Sequence, residues 1–165
     1  INKLYKETPA LWECDTSWEG FHWISAEDNQ NSVIAFRRIA RNKDEVIVVC
    51  NFQPVRHEIY EIGVPYYADY KEIFNSDDVK FGGSGITNKT VTAKKKPMHS
   101  EQYRISLDIP PMSVMYFKPV NIRDPEEAVE VEFTETLAHP HTDKRVESEE
   151  KSDETEKAVK TEKAK

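Results

Sequence analysis

The sequence predicts an all-β protein, an antiparallel β-sandwich, from three observations. From Phe21 onward, short runs rich in Val, Ile, Phe and Tyr are separated by polar turns. In QYRISLDI, residues 102–109, apolar and polar side chains alternate, which is the period of a strand with one face in water. In EVIVVCNF, residues 45–52, the side chains that would point to either face of a strand are largely apolar. This predicts a central strand covered on both sides.

Eight strands are predicted at a spacing that suits an antiparallel sandwich. They lie near residues 21–24, 32–40, 45–53, 56–62, 68–74, 89–95, 102–109 and 112–118. The second and third strands are joined by ARNKDE, whose Asn42 and Asp44 tolerate turn geometry, so a hairpin is expected there. Pro110 and Pro111 precede the last strand, where missing amide donors are tolerated.

The segments that flank the strands differ from them in composition. INKLYKE, residues 1–7, places Ile1, Leu4 and Tyr5 on one helical face and stops before Pro9, which indicates the last turns of a longer helix. Residues 121–165 carry 8 Lys and Arg against 14 Asp and Glu, and so −6 of the formal net charge of −7. The composition predicts a disordered acidic tail. We therefore divide the chain into residues 1–20, 21–119 and 120–165.

Composition and charge argue against several classes of protein. Cys14 and Cys50 cannot form a disulfide framework, and no run approaches the roughly 18 apolar residues of a membrane span. The basic run KKK at 94–96 stands alone in a body of nearly balanced charge, whereas nucleic acid binding requires several phosphate contacts. We expect a cytoplasmic protein that binds neither nucleic acid nor a membrane.

The sequence contains no recognisable motif for catalysis, for a metal or for a cofactor. The histidines lack a spacing typical of zinc sites: His22, His57, His99, His139 and His141. Asp77 and Asp78 are neighbours on a predicted loop, and adjacent carboxylates rarely converge on one substrate atom. FGGSG at 81–85 lacks the lysine and the following helix of a phosphate-binding loop, so a flexible or tight turn is favoured. We assign no catalytic residue, no metal ligand and no cofactor.

Aromatic side chains near the start of the strands are the best candidates for ligand contact. Trp12, Trp18, Phe21 and Trp23 fall within twelve residues and include all three tryptophans. Flat aromatic faces stack on sugar rings, and they also anchor interfaces between domains. From the residues alone, core or interface packing is favoured over sugar contact.

Six segments, in order and without large gaps, resemble the carboxy-terminal end of bacterial glycogen branching enzymes of the α-amylase superfamily. They are NKLYKETPALWECD, GFHWI, NSVIAFRR, VIVVCNFQPVRHEIYEIGVP, YKEIFNSD with FGGSG, and ISLDIPPMSVMYF. The resemblance covers residues 1 to about 119. It implies that residues 1–13 end the last helix of a catalytic (β/α)8 barrel and that residues 21–119 form the all-β domain packed against that barrel.

The resemblance also implies the activity of a longer parent enzyme, which cuts α-1,4-glucan and transfers the severed chain to a 6-hydroxyl as an α-1,6 branch. The aspartate and glutamate that perform this chemistry belong to barrel motifs without a counterpart in this chain. The implied partners are the catalytic barrel and an α-glucan such as glycogen. GFHWI is expected to face the barrel, which makes Trp23 and Phe21 candidate glucan contacts, and Trp18 of the same aromatic-rich stretch is a third candidate. His22 stands where the family commonly has Glu.

Two other hypotheses remain open. One is an independent carbohydrate-binding β-sandwich that binds glycogen through the aromatic side chains of residues 12–23. The other is a structural domain without a ligand. If the chain is instead the terminal domain of a branching enzyme, its barrel-facing surface is expected to be apolar.

Overall fold

The computed structural model describes residues 1–124, which form two antiparallel β-sheets around a shared core. This arrangement confirms the predicted all-β sandwich. The predicted disordered tail, with His139 and His141, lies outside the described residues.

Eight strands build the sandwich: β1 Phe21–Asp28, β2 Val33–Ile39, β3 Glu45–Asn51, β4 His57–Val64, β5 Asp69–Asn75, β6 Thr90–Thr92, β7 Tyr103–Ile109 and β8 Val114–Val120. The larger sheet has six strands in the order β1-β2-β3-β8-β5-β6, and β4 pairs with β7 in the smaller one. Every predicted strand is present. Strand β6 is shorter than expected because the chain leaves the larger sheet and bridges Lys94 to Arg104 of β7.

The helices are short and lie mainly before the strands. Helix α1 spans Asn2–Glu7, and three 3-10 turns span Pro9–Leu11, Trp18–Gly20 and Val79–Phe81. Helix α1 ends before Pro9 as expected and buries no side chain. Because six residues are too few for a helix that is stable alone in water, its role as the end of a longer helix remains a prediction.

Strand β3 occupies the middle of the larger sheet and is covered on both faces, as predicted. Ile47 and Val49 enter the core between the sheets, whereas Val46 and Val48 belong to a second apolar cluster on the opposite face. The strand pairs with β2 over its whole length and with β8 over its second half. The turn between β2 and β3 is closed by a bond from the amide of Ala40 to the carbonyl of Asp44, at 2.8 Å, which confirms the hairpin.

The core between the sheets follows the alternation of the sequence. Strand β7 buries every second residue, namely Tyr103, Ile105, Leu107 and Ile109. These side chains pack in one cluster with residues of the larger sheet, including Ile47, Val49, Met115 and Phe117. Since burying a large apolar side chain contributes about 1.5–3 kcal/mol, this cluster is the main source of the sandwich's stability.

A buried charged network lies at the edge of this core. The Arg37 guanidinium contacts the Glu45 carboxylate at 2.6 Å and the Glu101 carboxylate at 3.3 Å. The side chains of Arg37 and Glu45 are only 13% and 1% exposed. Burial raises the pKa of Glu45, and the hydrogen bonds and charge of Arg37 oppose that effect. The Glu45 carboxylate, at 1% exposure, therefore depends on Arg37 rather than on water for its charge partner.

Replacing Arg37 with Ala is expected to lower the free energy of unfolding by about 3–5 kcal/mol, because it leaves the Glu45 carboxylate buried without its partner. The measurement is equilibrium unfolding in urea. The control is Lys3→Ala, which removes an exposed pair with Glu7 and should cost about 0–1 kcal/mol. Equal losses in the two variants would show that the buried pair has no special role.

Candidate functional site

The larger sheet is apolar on the face that points away from the smaller sheet. We call this surface the outer face. It comprises Phe36, Val46, Val48, Cys50, Ile73, Phe74, Val114 and Tyr116. Four neighbouring strands contribute to it, so the apolar surface runs across the middle of the sheet.

Strand register explains why these side chains share one face. Val48 lies opposite Phe36 on one side and Tyr116 on the other. The pairing of β5 with β8 shifts between Glu72 and Phe74. Because such a bulge changes the alternation of side chains, both Ile73 and Phe74 pack on the outer face.

The segment before β1 covers part of the outer face. Ala10 is completely buried, and Leu11 packs against the same cluster as Val46 and Val48. An ion pair between Arg38 and Asp15, at 2.7 Å, attaches the segment to β2. The remaining members of the outer face, including Phe74 and Tyr116, keep partial exposure to solvent.

Three aromatic rings form a packed group at the β1 side of the outer face. The ring centroid of Phe21 lies 4.9 Å from that of Trp23 and 5.1 Å from that of Phe36, and Trp23 and Phe36 are 5.8 Å apart. The indole of Trp23 meets both phenyl rings edge to face, a favourable arrangement, yet Trp23 remains 51% exposed. The structure therefore brings Phe21 and Trp23 together and adds Phe36, which the sequence analysis missed.

Trp18 is separate from this group. Its side chain is 93% exposed in the turn Trp18–Gly20, and within residues 1–124 no aromatic ring contacts it. The turn is held close to Cys14, since a Cβ built on Gly20 would lie 2.3 Å from the Cys14 carbonyl oxygen. Trp18 is thus presented to solvent from a tightly packed turn.

A polar groove runs beside Trp23, between the edges of β1 and β4. Its lining includes Trp23, Glu27, Asp28, Asn31, Tyr60 and His99. The Tyr60 hydroxyl donates to Asp28 at 2.5 Å, and the Asn31 side chain donates to the same carboxylate at 2.8 Å. Burial raises the pKa of Asp28, but these hydrogen bonds outweigh it and lower the pKa overall. Burial and the bond to Asp28 raise the pKa of Tyr60.

His99 closes one end of the groove at a tight turn. His99 and Ser100 have positive φ angles of 50° and 64°, and Met98 and Glu101 pair on either side of them. The His99 Nδ1 atom accepts a hydrogen bond from the amide of Gly63 at 3.2 Å. A Cβ on Gly63 would lie 2.1 Å from the Met98 carbonyl oxygen, so glycine permits this close approach. Burial lowers the pKa of His99, and the charge of Asp28 opposes that effect.

Asp77 and Asp78, the adjacent carboxylates considered in the sequence, bind backbone groups of their own loop. Asp77 accepts hydrogen bonds from the amides of Ser84 and Ile86, whereas Asp78 accepts one from the amide of Lys80. The two carboxylates serve different backbone groups and do not converge as a catalytic pair. Gly82 and Gly85 have φ angles of 85° and 83°, as the predicted tight turn requires.

Residues 1–124 offer neither a metal-binding cluster nor a membrane-spanning helix. No group of three or more His, Cys, Asp or Glu side chains in this range is arranged to hold a metal ion. None of its helices is both long and apolar enough to cross a membrane.

Comparison with known proteins gives the family. Residues 23–120 match the model described as "Alpha amylase, C-terminal all-beta domain". The chain belongs to this family. The match begins at Trp23 and ends at the last residue of β8, so it contains nearly the whole sandwich.

Similar curated proteins agree with the resemblance noted in the sequence. The chain is 46% identical over 126 residues to the 1,4-alpha-glucan branching enzyme GlgB of Halothermothrix orenii, covering 73% of this chain and 20% of that enzyme. It is 45% identical over 129 residues to the enzyme of the same name from Prochlorococcus marinus, covering 77% and 17%. The corresponding enzyme of Francisella tularensis subsp. mediasiatica is 42% identical over 120 residues, covering 72% and 19%. The matched part therefore spans a fifth or less of the length of these relatives.

The His99 contact predicts a pH dependence of stability. Since the folded protein lowers the pKa of His99 from its ordinary value of about 6.5, the unfolded chain binds the proton more tightly. The contact should stabilise the fold above about pH 6.5 and be lost as the pH falls through the lower folded-state pKa. Urea unfolding between about pH 7.5 and 5.5 should show a smaller loss of stability in His99→Leu than in the wild type.

The matched control is Val79→Leu, at an exposed position outside the groove that carries no titratable group. It should keep the pH dependence of the wild type. An unchanged dependence in His99→Leu would contradict the assignment.

Proposed function

We propose that this chain provides the carboxy-terminal all-β domain of a 1,4-alpha-glucan branching enzyme. In this proposal the outer face packs against the catalytic (β/α)8 barrel and stabilises it. The observation that carries the proposal is the apolar surface of Phe74, Tyr116 and their neighbours on a sheet whose other face is already buried. The names of the similar proteins support the same reading.

The all-β domain and the barrel would have different roles, because they carry different side chains. Within residues 1–124 we assign no catalytic residue, and the retaining chemistry of the superfamily needs a nucleophile and an acid held across a cleft. The barrel would supply both groups, cut the α-1,4-glucan and form the α-1,6 branch. The all-β domain would contribute stability, in a cytoplasmic enzyme of glycogen synthesis.

The aromatic group supports a second role in contact with glucan. Trp23 combines a half-exposed indole with two ring contacts that fix its orientation, which suits stacking on a sugar ring. Phe21 would act mainly by holding Trp23, and Trp18 would add a separate exposed surface. Because Trp23 lies where the outer face meets the groove, a glucan chain bound there would pass along the border of the barrel interface.

The runner-up function is an independent carbohydrate-binding module. The exposure of Trp18 and Trp23 favours it, since both rings are available without a partner domain. The two functions differ in whether the chain binds glycogen strongly when it is separated from a barrel.

A chimera tests the packing role. Residues 1–124 replace the matching segment of the Halothermothrix orenii enzyme, and the chimera is expected to fold and to branch amylose in an iodine-spectrum assay. Phe74→Glu in the chimera should lower its Tm and its activity, because it buries a charge in the apolar interface. Ile59→Glu, at a 78% exposed position of β4 in the smaller sheet, is the control and should change neither. Full activity and Tm in Phe74→Glu would reject the packing role.

Affinity electrophoresis in a glycogen gel tests the glucan contact. Trp23→Ala should weaken retardation of the chimera roughly fivefold, since a lost stacking contact of about 1 kcal/mol changes affinity by that factor. Phe52→Ala, another exposed aromatic position, is the control. Unchanged retardation in Trp23→Ala would rule out the contact. If the chain alone were retarded as strongly as the chimera, the independent binding module would be the better description.

A further inference from the structure

The groove between β1 and β4 has the size and the walls of a ligand site. Its volume is about 840 Å³, which falls within the range of about 300–1,000 Å³ found for small-molecule sites. Among the described strands, β1 ends the larger sheet and β4 pairs only with β7, so each turns an open backbone edge to the groove. Such an edge offers backbone amides and carbonyls to a ligand, in addition to the side chains of the lining.

The two strand edges are irregular, which makes the groove a poor place for an added strand. The register of β1 with β2 shifts twice, once on either side of Ser25. The register of β4 with β7 shifts between His57 and Tyr60. Since these irregularities break the even spacing of backbone groups that a partner strand needs, the groove suits a ligand with separate hydrogen-bonding groups better than an extended peptide.

His99 supplies the groove with a neutral hydrogen-bond donor. Its Nδ1 atom accepts from the amide of Gly63, so the neutral imidazole carries its proton on Nε2. The Nε2 atom forms no hydrogen bond within residues 1–124. Burial lowers the pKa of His99, and the charge of Asp28 opposes that effect. Because the pKa lies below its ordinary value of about 6.5, the ring is neutral near pH 7 and its N–H group is available to a ligand in the groove.

Two neighbouring carboxylates of β1 supply hydrogen-bond acceptors. Glu27 is exposed, and its carboxylate forms no hydrogen bond or ion pair within the described part of the chain. The Asp28 carboxylate accepts hydrogen bonds from the Tyr60 hydroxyl and the Asn31 side chain, which fix its orientation. The groove thus combines a donor and two acceptors with the half-exposed indole of Trp23, a set that matches a sugar ring and its hydroxyl groups.

The charge of the groove selects against anionic ligands. Of the four carboxylates in its lining, two have arginine partners, namely Glu58 and Glu61. Glu27 and Asp28 have no lysine or arginine partner within residues 1–124, and no lysine or arginine from this range lines the groove. The groove is therefore negatively charged, which favours a neutral ligand over a phosphorylated one.

We propose that this groove binds a neutral α-glucan chain, with one sugar ring stacked on Trp23 and further hydroxyl groups bonded to His99 and Glu27. This inference rests on the glucan contact proposed for Trp23 and extends it from a single ring to a chain that enters the groove. Sugar hydroxyls donate to the carboxylates of Glu27 and Asp28 and accept from the imidazole N–H of His99. The chain thereby continues from the border of the outer face to the gap between the two sheets.

Titration of the full chain with maltoheptaose, followed by NMR of the backbone amides, tests the proposal. The amide signals of Glu27 and Asn31 should shift and saturate, whereas that of Val48 in the central strand should not move. Glu27→Ala should weaken the affinity roughly two- to tenfold, which is the effect of losing one hydrogen bond. Glu7→Ala, at an exposed position of α1 outside the groove, is the matched control and should keep the wild-type affinity.

His99→Asn separates the donor from the fold. Asn tolerates the positive φ of this position, and its carbonyl oxygen takes the place of Nδ1 as the acceptor for Gly63, but it has no group at the position of Nε2. The variant should remain folded, as the unshifted amide of Val48 reports, and should bind maltoheptaose roughly two- to tenfold more weakly.

The outcomes distinguish this proposal from the contact at Trp23. If Trp23→Ala weakens binding while either Glu27→Ala or His99→Asn keeps the wild-type affinity, the contact at Trp23 stands and the groove proposal is overturned. If Trp23→Ala binds as tightly as the wild type, or the wild type shows no shifts, the contact and the groove both fail.

A phosphorylated ligand provides an independent arm. Maltoheptaose with a phosphate ester on one 6-hydroxyl should bind the wild type more weakly than maltoheptaose does, and Glu27→Ala should narrow the difference because it removes one negative charge. Equal affinity of the wild type for the two ligands would contradict the selection of a neutral chain.

Discussion

The constraint on which the structure depends is a single sheet that is apolar on both faces. Strand β3 directs Ile47 and Val49 into the core between the sheets and Val46 and Val48 to the outer face. A two-layer sandwich covers only one face of its larger sheet, so the second face needs another cover. The segment around Ala10 supplies part of that cover, and the proposed contact with a catalytic barrel supplies the rest.

The candidate site lies where these surfaces meet. On one side, Phe21, Trp23 and Phe36 form a packed aromatic group at the margin of the outer face. On the other side, Asp28 and Tyr60 form a hydrogen-bonded pair across the edges of β1 and β4. This border offers a rigid apolar surface next to polar groups, a combination that suits sugar rings better than an apolar interface alone does.

The sequence predicted the parts of the fold that depend on local pattern. The alternation in β7 and the doubly apolar run of β3 identified their strands and their burial, because each pattern follows directly from side chains pointing to alternate faces. The family match covers residues 23–120 and so includes both of these strands. Phe21 and Trp23 are separated by one residue and share a face of β1, although the sequence analysis noted only that they are close in the chain.

The missed features depend on contacts between distant residues. Phe36 joins Trp23 only through the register of β1 with β2, and no local pattern specifies that register. Likewise, Arg37 and Glu45 are residues that their charge alone would place in water, yet they bury each other near Glu101, 64 residues from Arg37 in the chain. Trp18 was grouped with Trp23 because they are close in sequence, but the turn at Trp18–Gly20 separates them.

Hydroxyl-radical footprinting tests the central claim most directly, that the outer face is made to be covered by another domain. Oxidation of Phe36, Phe74 and Tyr116 is compared between the chain alone and the chain fused to the barrel of a branching enzyme. Ile59, which is 78% exposed on β4 of the smaller sheet, serves as the reference. The account predicts that fusion protects the three aromatic residues and leaves Ile59 unchanged. Equal oxidation of the outer face in both forms would contradict it.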